Sequence, residues 1–342
     1  MSANIHDVAR RAGVSISTVS RVLNDTAKVN EEKRARVVEA AAELNYTPNL
    51  AARRLLSRST GGIGVLLPFI TGEFFSRLID GVDEMAHEHG LFLMVSATHR
   101  SPDEFERLLR EAGSRTDGLI VMATDIEPEA LADLLPKEAP VVLLNTQPAS
   151  DGIFADHALD EVRFDNYGGA YAVGEHFVEQ GFQRFAVVRG PEKAYDADER
   201  VRGFFDALRD HDLDADETPV FEGDFSQEMG YQLGKQIATL DPLPHAVFAS
   251  NDLGAVGVVL GLHEAGLHVP SDLAVAGFDD VPMARYTLPP LTTASVPVRE
   301  IGARAAELLI RRIRRMAEGD PPETERVVIP VELVRRASTN VE

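Results

Sequence analysis

Residues 13–23 read GVSISTVSRVL, a sharp turn followed by a short polar helix. Gly13 tolerates the backbone conformation that such a turn needs, and Ser15 is a suitable cap for the helix that follows. The face that a neighbouring helix would bury is apolar: Val19, Val22 and Leu23. The opposite face presents small groups and one long cation: Ile16, Ser17, Thr18 and Arg21. The stretch therefore predicts a helix with one packed face and one face available to a partner.

Helical patterns lie on both sides of this stretch. Upstream, apolar residues recur at the spacing of one helical face: Ile5, Val8, Ala9 and Ala12. Downstream, Asn30 can cap a third helix, which Pro48 ends. The inward residues of that helix are Val37, Ala41 and Leu44. Two short helices joined at a glycine predict a helix-turn-helix, whose second helix can enter the major groove of DNA. A plain three-helix domain for protein contacts remains an alternative on this pattern.

The charge is divided unevenly along the chain. The 342 residues carry a formal net charge of −21, yet residues 1–60 hold ten basic and six acidic side chains. The N-terminal region is therefore at +4, and the other 282 residues carry −25. A basic head that reads DNA is compatible with an acidic body, because salt screens charges separated by more than about 10 Å.

Several classes of protein are excluded by missing features. There is no cysteine, so disulfides, thiol nucleophiles and cysteine-based zinc sites are absent. No apolar run approaches a membrane span and the N-terminus does not resemble a signal peptide, so we expect a cytoplasmic protein with no membrane partner. No nucleotide-binding glycine motif and no nucleophile elbow occurs, so we predict no cofactor and no catalytic residue. An enzyme or a pure ligand-binding protein remains the alternative from another class.

Metal binding is not predicted either. His87 and His89 lie two apart on an expected helix and therefore point away from each other. The acidic segment 210–217, DHDLDADE, lacks the glycine and the final glutamate of a calcium loop.

From residue 63 onward, short apolar runs alternate with helical patterns. Runs begin near residues 63, 91, 118 and 141, and again near 184, 219, 245 and 273. This alternation predicts an α/β body with two doubly wound parallel sheets, separated by a break at 145–165. A further run at 292–298, a helix through Arg315 and a last strand near 327–334 would return the chain to the first lobe and then to the second.

The predicted domains follow from these patterns. They are a helix-turn-helix head at 1–48, a hinge helix or linker at 49–60, a first lobe at 61–163 and 293–325, and a second lobe at 164–292 and 326–342. The hinge NLAARRLLSR would form under three helical turns, and an isolated helix of that length is marginal in water. We expect it to fold only when DNA and a second copy of the chain hold it. An exposed Leu55 in an ordinary linker remains the alternative.

Long segments of the chain resemble the lactose/galactose repressor family. In the head these are IHDVARRAGVSISTVSRVLN at 5–24 and VNEEKRARVVEAAAELNYTPNLAARRL at 29–55. In the body they include AVFASNDLGAVGVV at 246–259 and LPPLTTASVPVREIGARAAELL at 288–309. The resemblance implies a two-lobed body like that of periplasmic binding proteins, and an effector-responsive, dimeric repressor that binds a palindromic operator.

The resemblance also implies roles for residues of the head. Ile16 and Ser17 would read base edges, and Arg21 would contact guanine. Phosphates and nearby bases would be held by Thr18, Ser20 and Asn24. Leu55 would be wedged between base steps in the minor groove by the paired hinge helices. The remaining predicted DNA contacts are Lys28, Asn49 and Ala52.

Ligands of open α/β sheets bind beyond the carboxyl ends of the strands, where polar and aromatic residues gather in this sequence. The resemblance places effector contacts on Phe74, Phe75, Asn145, Arg200, Phe225, Asn251 and Asp279, and Asp196 is an eighth candidate by its position. Aromatic rings would stack on the effector, while arginine and carboxylates would bind its hydroxyls. We therefore expect a neutral sugar, with a nucleoside or purine as the alternative because of the three phenylalanines.

Each of these candidates also has a purely structural interpretation. Phe74 or Phe75 would be core residues, and Asn251 would be only a helix cap. Arg200 would form a surface ion pair with Asp196 or Glu199, and Asp279 would lie in a solvated turn.

Two further expectations concern the whole chain. No leucine heptads follow VELVRRASTN at 331–340, so we predict a dimer rather than a tetramer. The acidic body has few lysines, which suits a salty cytoplasm but also follows from a GC-rich genome, and both explanations stay open.

Overall fold

The computed structural model describes residues 4–24, 29–44, 46, 59–150, 152–213, 215–320 and 323–340. The chain forms two compact units, residues 1–60 and 61–342, which are called here the head and the body.

The described part of the head contains three helices: α1 (Ile5–Ala12), α2 (Ile16–Asn24) and α3 (Glu31–Glu43). The side chain of Asn4 caps α1, and Gly13 ends it with φ of 64°. Ser15 accepts a hydrogen bond from the Thr18 amide (3.2 Å), and Asn30 accepts one from the Glu32 amide (2.8 Å). These capping side chains accept hydrogen bonds from amides of the first turn, which have no partner within the helix. The three helices predicted from the sequence are confirmed.

The head has a small apolar core between these helices. Its fully buried members are Val8, Ala9, Ala12, Val19, Val22, Val37 and Ala40. Ile5, Leu23, Ala41 and Leu44 are partly buried against them. The apolar stripes predicted for all three helices therefore face one another.

The first sheet of the body contains six parallel strands. They are β1 (Gly62–Leu67), β2 (Phe92–Ala97), β3 (Leu119–Val121), β4 (Val141–Leu144), β5 (Leu159–Phe164) and β11 (Arg326–Ile329), in the order β11-β5-β4-β3-β1-β2. The helices between the first four strands are α4 (Glu73–Glu88), α5 (Pro102–Arg115) and α6 (Pro128–Leu134). This sheet and the helices packed on it are called here the first lobe.

The second sheet has the same design with one antiparallel edge. Its strands are β6 (Phe185–Arg189), β7 (Val220–Glu222), β8 (Ala246–Ala249), β9 (Ala274–Asp279), β10 (Thr292–Ser295) and β12 (Glu332–Val334), in the order β12-β10-β9-β8-β6-β7. Its helices are α7 (Asn166–Glu179), α8 (Tyr195–Asp210), α9 (Gln227–Ile237) and α10 (Asp252–Glu264). These elements, with two 3₁₀ turns at Pro282–Arg285 and Ala337–Thr339, are called here the second lobe.

The chain crosses between the lobes at positions that differ from the sequence-based boundaries. The strand at 292–295, predicted to open the return to the first lobe at 293, pairs with β9 in the second sheet. The helix α11 (Val298–Ala317) then packs on α4 of the first lobe, where Gly302 and Gly81 allow the two backbones to approach. The expected single strand at 327–334 is two strands, β11 in the first sheet and β12 in the second. Residue 326 therefore belongs to the first sheet and not to the second lobe.

Strand β5, LDEVRF, lies inside the break at 145–165 and was missed by the sequence analysis. Its apolar pattern is interrupted by Asp160 and Glu161, both of which are buried. Arg312 of α11 binds Asp160 at 2.5 and 2.7 Å, and Arg326 of β11 binds Glu161 at 3.1 Å. A buried carboxylate needs such partners, so this strand is stabilised by elements that are distant in sequence.

Candidate functional site: a reading helix and an interlobe cavity

The predicted DNA-reading face lies on α2. Ile16, Ser17 and Arg21 are exposed, with Ile16 at 41%, whereas Thr18 and Ser20 are half-buried. The hydroxyl of Ser15 lies 2.9 Å from those of Ser17 and Thr18. The exposed face of α2 is thus composed of hydroxyls, one apolar side chain and one guanidinium, the groups that read base edges and phosphates.

The other predicted DNA contacts lie at the end of α2 or beyond it. Asn24 ends α2, but its side chain lies outside the description. Lys28, Asn49, Ala52 and Leu55, together with the predicted hinge helix, lie outside the described residues.

A cavity of about 510 Å³ lies at the carboxyl ends of the strands of both sheets. From the first lobe it is lined chiefly by Pro68, Phe69, Phe74, Phe75, Arg100, Met122 and Thr124. From the second lobe it is lined chiefly by Asp196, Arg200, Asp224, Phe225, Asn251 and Asp279. Its size suits a small molecule of the sugar or nucleoside class, and its aromatic walls with a few convergent polar groups are typical of a ligand site.

Seven of the eight predicted effector residues line this cavity, and Asn145 does not. Asn145 is fully buried after β4, and its side-chain oxygen accepts a hydrogen bond from the Nδ2 atom of Asn166 (2.9 Å). The oxygen of Asn166 in turn accepts from Nε of Arg200 (2.9 Å). Asn145 therefore does not line the cavity but is linked to Arg200 through the hydrogen bonds of Asn166.

Arg200 is held rigidly. Besides Asn166, its Nη1 atom donates to the Ser250 carbonyl at 2.5 Å and lies 3.5 Å from Oδ1 of Asp279. Its guanidinium stacks 4.0 Å above the ring of Phe278. Arg200 is 2% exposed, so the alternative of a surface ion pair is wrong. A guanidinium that is already fixed loses little further side-chain entropy when it donates to a ligand oxygen.

Asp279 ends β9 and is 6% exposed, so it does not lie in a solvated turn. Burial raises the pKa of this carboxyl to about 7, although Arg200 opposes the shift and Asp196 adds to it. Its Oδ1 atom has no hydrogen-bond partner among the described residues. A buried acceptor that lacks a partner is costly, and a ligand hydroxyl would satisfy it.

Asn251 has a structural role as well as a place in the cavity wall. Its side-chain oxygen caps α10 by accepting from the Gly254 amide (3.0 Å), but it also lines the cavity, so Asn251 is not only a helix cap. Its Nδ2 atom donates to the Phe225 carbonyl at 2.9 Å. Asn251 thus also positions Phe225, its neighbour in the same wall of the cavity.

Phe74 and Phe75 likewise combine both roles. They are half-buried at the start of α4, where they line the cavity and pack against the core of the body. Their rings meet edge to face, with centroids 5.3 Å apart.

The loops around the cavity share an unusual backbone conformation. Arg100 (φ 54°), Asn145 (φ 49°), Phe225 (φ 68°) and Asp279 (φ 111°) all have positive φ and follow or end strands β2, β4, β7 and β9. Side-chain-bearing residues rarely adopt this region, and such strain concentrates at ligand sites. The backbone conformation at these four residues therefore fixes the direction in which each side chain leaves the chain.

Three residues of this region were not predicted from the sequence. Arg100 and Thr124 line the cavity after β2 and β3, and their position beyond strand ends is the signal that indicates them. Asp252 is fully buried, and this burial, with a smaller contribution from Asp279, raises its pKa well above the usual range. Asp252 accepts from the Val281 amide (2.9 Å) and the Thr293 hydroxyl (2.6 Å), and so fixes the loop after β9.

The described residues contain no cluster of three histidine, aspartate or glutamate side chains that could hold a metal ion. In the same part of the chain, no helix is both long and apolar enough to cross a membrane.

Comparisons with known proteins agree with this architecture. The lacI family of bacterial regulatory proteins matches residues 4–49, and a periplasmic binding protein-like domain matches residues 174–339. The transcriptional repressor PurR of Vibrio atlanticus is 36% identical over 317 residues, which cover 91% of this chain and 92% of that protein. Its name states that it is a helix-turn-helix repressor.

Solved structures show the same fold. The Lac repressor dimer bound to operator and the anti-inducer ONPF is 28% identical, with a TM-score of 0.86 over the full length of both chains. A LacI family regulator from Enterococcus faecium with bound ribose is 31% identical over 81% of this chain and 98% of that one, with a TM-score of 0.71. This chain therefore belongs to the lacI family of bacterial regulatory proteins and is a DNA-binding transcriptional repressor that responds to a small-molecule effector.

Proposed function

We propose that the effector is a sugar, bound in the interlobe cavity by Phe74, Phe75, Asp196, Arg200, Phe225, Asn251 and Asp279. The observation that carries the proposal is the pairing of aromatic walls with the rigid Arg200 and with the Asp279 carboxyl, whose Oδ1 atom has no hydrogen-bond partner among the described residues. A sugar ring has apolar faces for the phenylalanines and hydroxyls that both donate and accept hydrogen bonds. The ribose in the Enterococcus faecium relative supports this choice.

A purine or nucleoside is the second candidate. The similarity to repressors named PurR favours it, and so do the aromatic walls formed by Phe69, Phe74, Phe75 and Phe225. A flat base would occupy such walls by stacking.

The proposed reading helix is α2, with Ile16 and Ser17 on base edges and Arg21 on guanine. Thr18, Ser20 and Asn24 would hold phosphates and nearby bases, and Leu55 would be wedged in the minor groove. Lys28, Asn49 and Ala52 are the remaining proposed DNA contacts. Exposure of Ile16, Ser17 and Arg21 on one face of α2 supports this assignment. Arginine and small hydroxyl side chains are the groups that major-groove readers use. We assign the protein to the cytoplasm, and we assign it no catalytic residue.

We also propose that the protein binds a palindromic operator as a homodimer. The structure of its relative, the Lac repressor, is that of a dimer bound to operator. The second lobe exposes a cluster of large apolar side chains: Met283 (40%), Tyr286 (83%) and Leu288 (90%). A second copy would cover this cluster, since exposed apolar patches mark interaction sites. Leu288→Glu should shift the mass in light scattering toward the monomer, whereas Val328→Glu at another exposed apolar site (57%) should leave it unchanged.

The DNA assignment is tested by affinity selection of random duplex DNA with the full-length protein at moderate salt. Enrichment of a palindrome is expected, and Arg21→Gln should relax the preference at one guanine of each half-site. Arg10→Gln, which removes an exposed charge of α1, is the matched control and should keep the selected sequence. Failure to enrich any sequence, with and without a metabolite extract, would contradict the reading role of the head.

The effector assignment is tested by calorimetric titration with D-ribose, D-galactose, cellobiose, adenosine and hypoxanthine. Heat from at least one sugar is expected. Heat from hypoxanthine or adenosine alone would replace the sugar by the purine candidate.

A further inference from the structure

Residues 280–291, called here the crossover segment, join β9 to its parallel neighbour β10 in the second sheet. Parallel strands are usually joined by an α-helix, whose backbone groups bond to one another. In this segment, all of which is described, the regular structure is one four-residue 3₁₀ turn, Pro282–Arg285. Contacts from other parts of the chain are therefore needed to fix its conformation.

The crossover segment is anchored on one side and exposed on the other. Ala284 and Leu291 are buried in the core of the second lobe. Met283, Tyr286 and Leu288 form the exposed apolar cluster that we assign to the dimer surface. The conformation of the segment thus sets the relative positions of the three side chains that a second copy would contact.

Arg336, which follows β12, joins the two ends of the crossover segment. Its Nη2 atom donates to Oδ1 of Asp280 at the start of the segment (2.5 Å), and its Nη1 atom donates to the Leu291 carbonyl at the end (2.8 Å). The Arg336 amide donates to the Thr292 hydroxyl (2.8 Å), which fixes its backbone against β10. A planar guanidinium that makes two such bonds holds its two acceptors at a set distance.

Ser338 supports the same end of the segment. Its amide donates to the Pro290 carbonyl (2.9 Å), and its hydroxyl oxygen accepts from the Thr292 amide (2.8 Å). Its hydroxyl donates in turn to the Val275 carbonyl of β9 (2.6 Å). The residues after β12 thus supply the hydrogen-bond partners that a crossover helix would find within itself.

We propose that Arg336 is a positioning residue for dimerisation. Its guanidinium closes the crossover segment and so presents Met283, Tyr286 and Leu288 to the second copy in one conformation. A surface that is ordered before binding loses less conformational entropy when it binds. The inference rests on the proposed homodimer and adds the residue that orders its surface.

The test measures dimer dissociation by sedimentation velocity over a dilution series. The main variant combines Arg336→Met with Asp280→Asn, because Arg336→Met alone would leave a buried carboxylate without one of its partners. Its dimer dissociation constant should rise about tenfold or more. Arg336→Lys should give an intermediate value, because an ammonium cannot make the two-pronged contact. Arg335→Met, which removes an exposed ion pair with Glu179, is the matched control and should dimerise as the native protein does.

Limited digestion with trypsin measures the order of the crossover segment itself. The side chain of Arg285 is 61% exposed, and cleavage after it yields a fragment that begins at Tyr286 and is identified by its mass. Leu288→Glu is the reference, because it should be monomeric while the bridge made by Arg336 is intact. The double variant should be cleaved after Arg285 several times faster than this reference, since proteases cut segments that open locally.

The two measurements separate the positioning role from a general effect on stability. A double variant that unfolds at a lower temperature but dimerises as the native protein does, or is cleaved no faster than Leu288→Glu, would overturn the inference and leave the proposed dimer standing. If the double variant does not fold, Arg336→Lys, which keeps a cation opposite Asp280, decides by the same two measurements. A monomeric native protein, or a Leu288→Glu variant that stays dimeric, would reject the proposed dimer surface and the role of Arg336 with it.

Discussion

At the residue scale, Asp279 is the group through which the effector site should respond to pH. Burial raises its pKa to about 7, so the carboxyl changes its charge near neutrality. The ionised form is the better acceptor for a ligand hydroxyl, and the titratable or charged groups around it are Asp196, Arg200 and the buried Asp252. We expect the affinity for a bound sugar to rise as the pH increases from 6 to 8.

Calorimetric titrations at three pH values check this expectation. Asp279→Asn keeps the size of the side chain but cannot ionise, so it should bind more weakly at pH 8 and show a nearly flat profile. Asp224 also lines the cavity, and its Oδ1 atom accepts a hydrogen bond from the Ser226 amide (2.8 Å). If Asp224→Asn removed the pH dependence and Asp279→Asn did not, the assignment to Asp279 would be wrong.

His176 should make the stability of the body sensitive to acid. It is 3% exposed, and its Nε2 atom lies 2.7 Å from the Thr339 hydroxyl in the C-terminal segment. Burial, and secondarily Arg335, lowers its pKa from the usual 6.5. Below pH 6.5 the unfolded chain takes up a proton that the folded chain does not, so stability is lost as the pH falls through this range.

Thermal unfolding between pH 5 and 7.5 measures the effect. The unfolding temperature should decrease toward pH 5 in the native protein, and His176→Gln should decrease less steeply over the same range. An exposed histidine such as His87 provides the control, because His87→Gln should leave the slope as it is. Parallel curves for native protein and His176→Gln would show that His176 is not the titrating group.

At the element scale, closely packed helix pairs cover the sheets, and α9 and α10 form one of them. A Cβ atom on Gly257 of α10 would lie 2.1 Å from the Gln227 carbonyl oxygen and 2.6 Å from the Tyr231 amide of α9. Because these are backbone atoms, Gly257→Ala has to separate the helices. We expect a loss of about 1–3 kcal/mol in the free energy of unfolding.

Gly113 of α5 is the matched control for this prediction. Its nearest neighbour would be a Leu119 methyl group at 3.9 Å, an ordinary contact. Gly113→Ala should therefore stabilise the body by up to about 1 kcal/mol, which is the difference in helix propensity. Denaturant titration of both variants measures the two values, and equal effects would contradict the packing argument.

The elements that the sequence could predict are those specified by local pattern. The caps at Ser15 and Asn30 and the apolar stripes of the head require only neighbouring residues, and they were predicted correctly. The assignment of β10 and β11 to sheets was wrong, because strand pairing is decided by contacts over long sequence distances. The same holds for β5, whose acidic residues are acceptable only because Arg312 and Arg326 reach them.

In the cavity, too, local pattern predicted the position of residues, whereas contacts between residues distant in sequence could not be predicted. Strand ends indicated where Phe225 and Asp279 would lie, and both line the cavity. The side-chain direction of Asn145 could not be predicted, because it depends on the hydrogen bond to Asn166.

At the scale of the whole molecule, the charge distribution predicts how salt affects stability. The chain beyond residue 60 carries −25, and excess charge of one sign destabilises a compact state through repulsion. Added potassium chloride screens this repulsion, so an adaptation to a salty cytoplasm should appear as a rising unfolding temperature from low to molar salt. Without such a rise, a GC-rich genome would be the better explanation for the low lysine content.

The regulatory switch makes a quantitative prediction for the complete repressor. If a sugar changes operator affinity a hundredfold, the coupling free energy between the two sites is about 2.7 kcal/mol. Linkage requires the operator to change sugar affinity by the same hundredfold factor, in the same direction. Titrating the selected operator with and without saturating sugar, and the sugar with and without saturating operator, measures both factors. Agreement between the two factors would show that the cavity ligand is the effector. A sugar whose affinity is the same with and without operator would have no regulatory role, because only a difference in affinity between two states can shift their equilibrium.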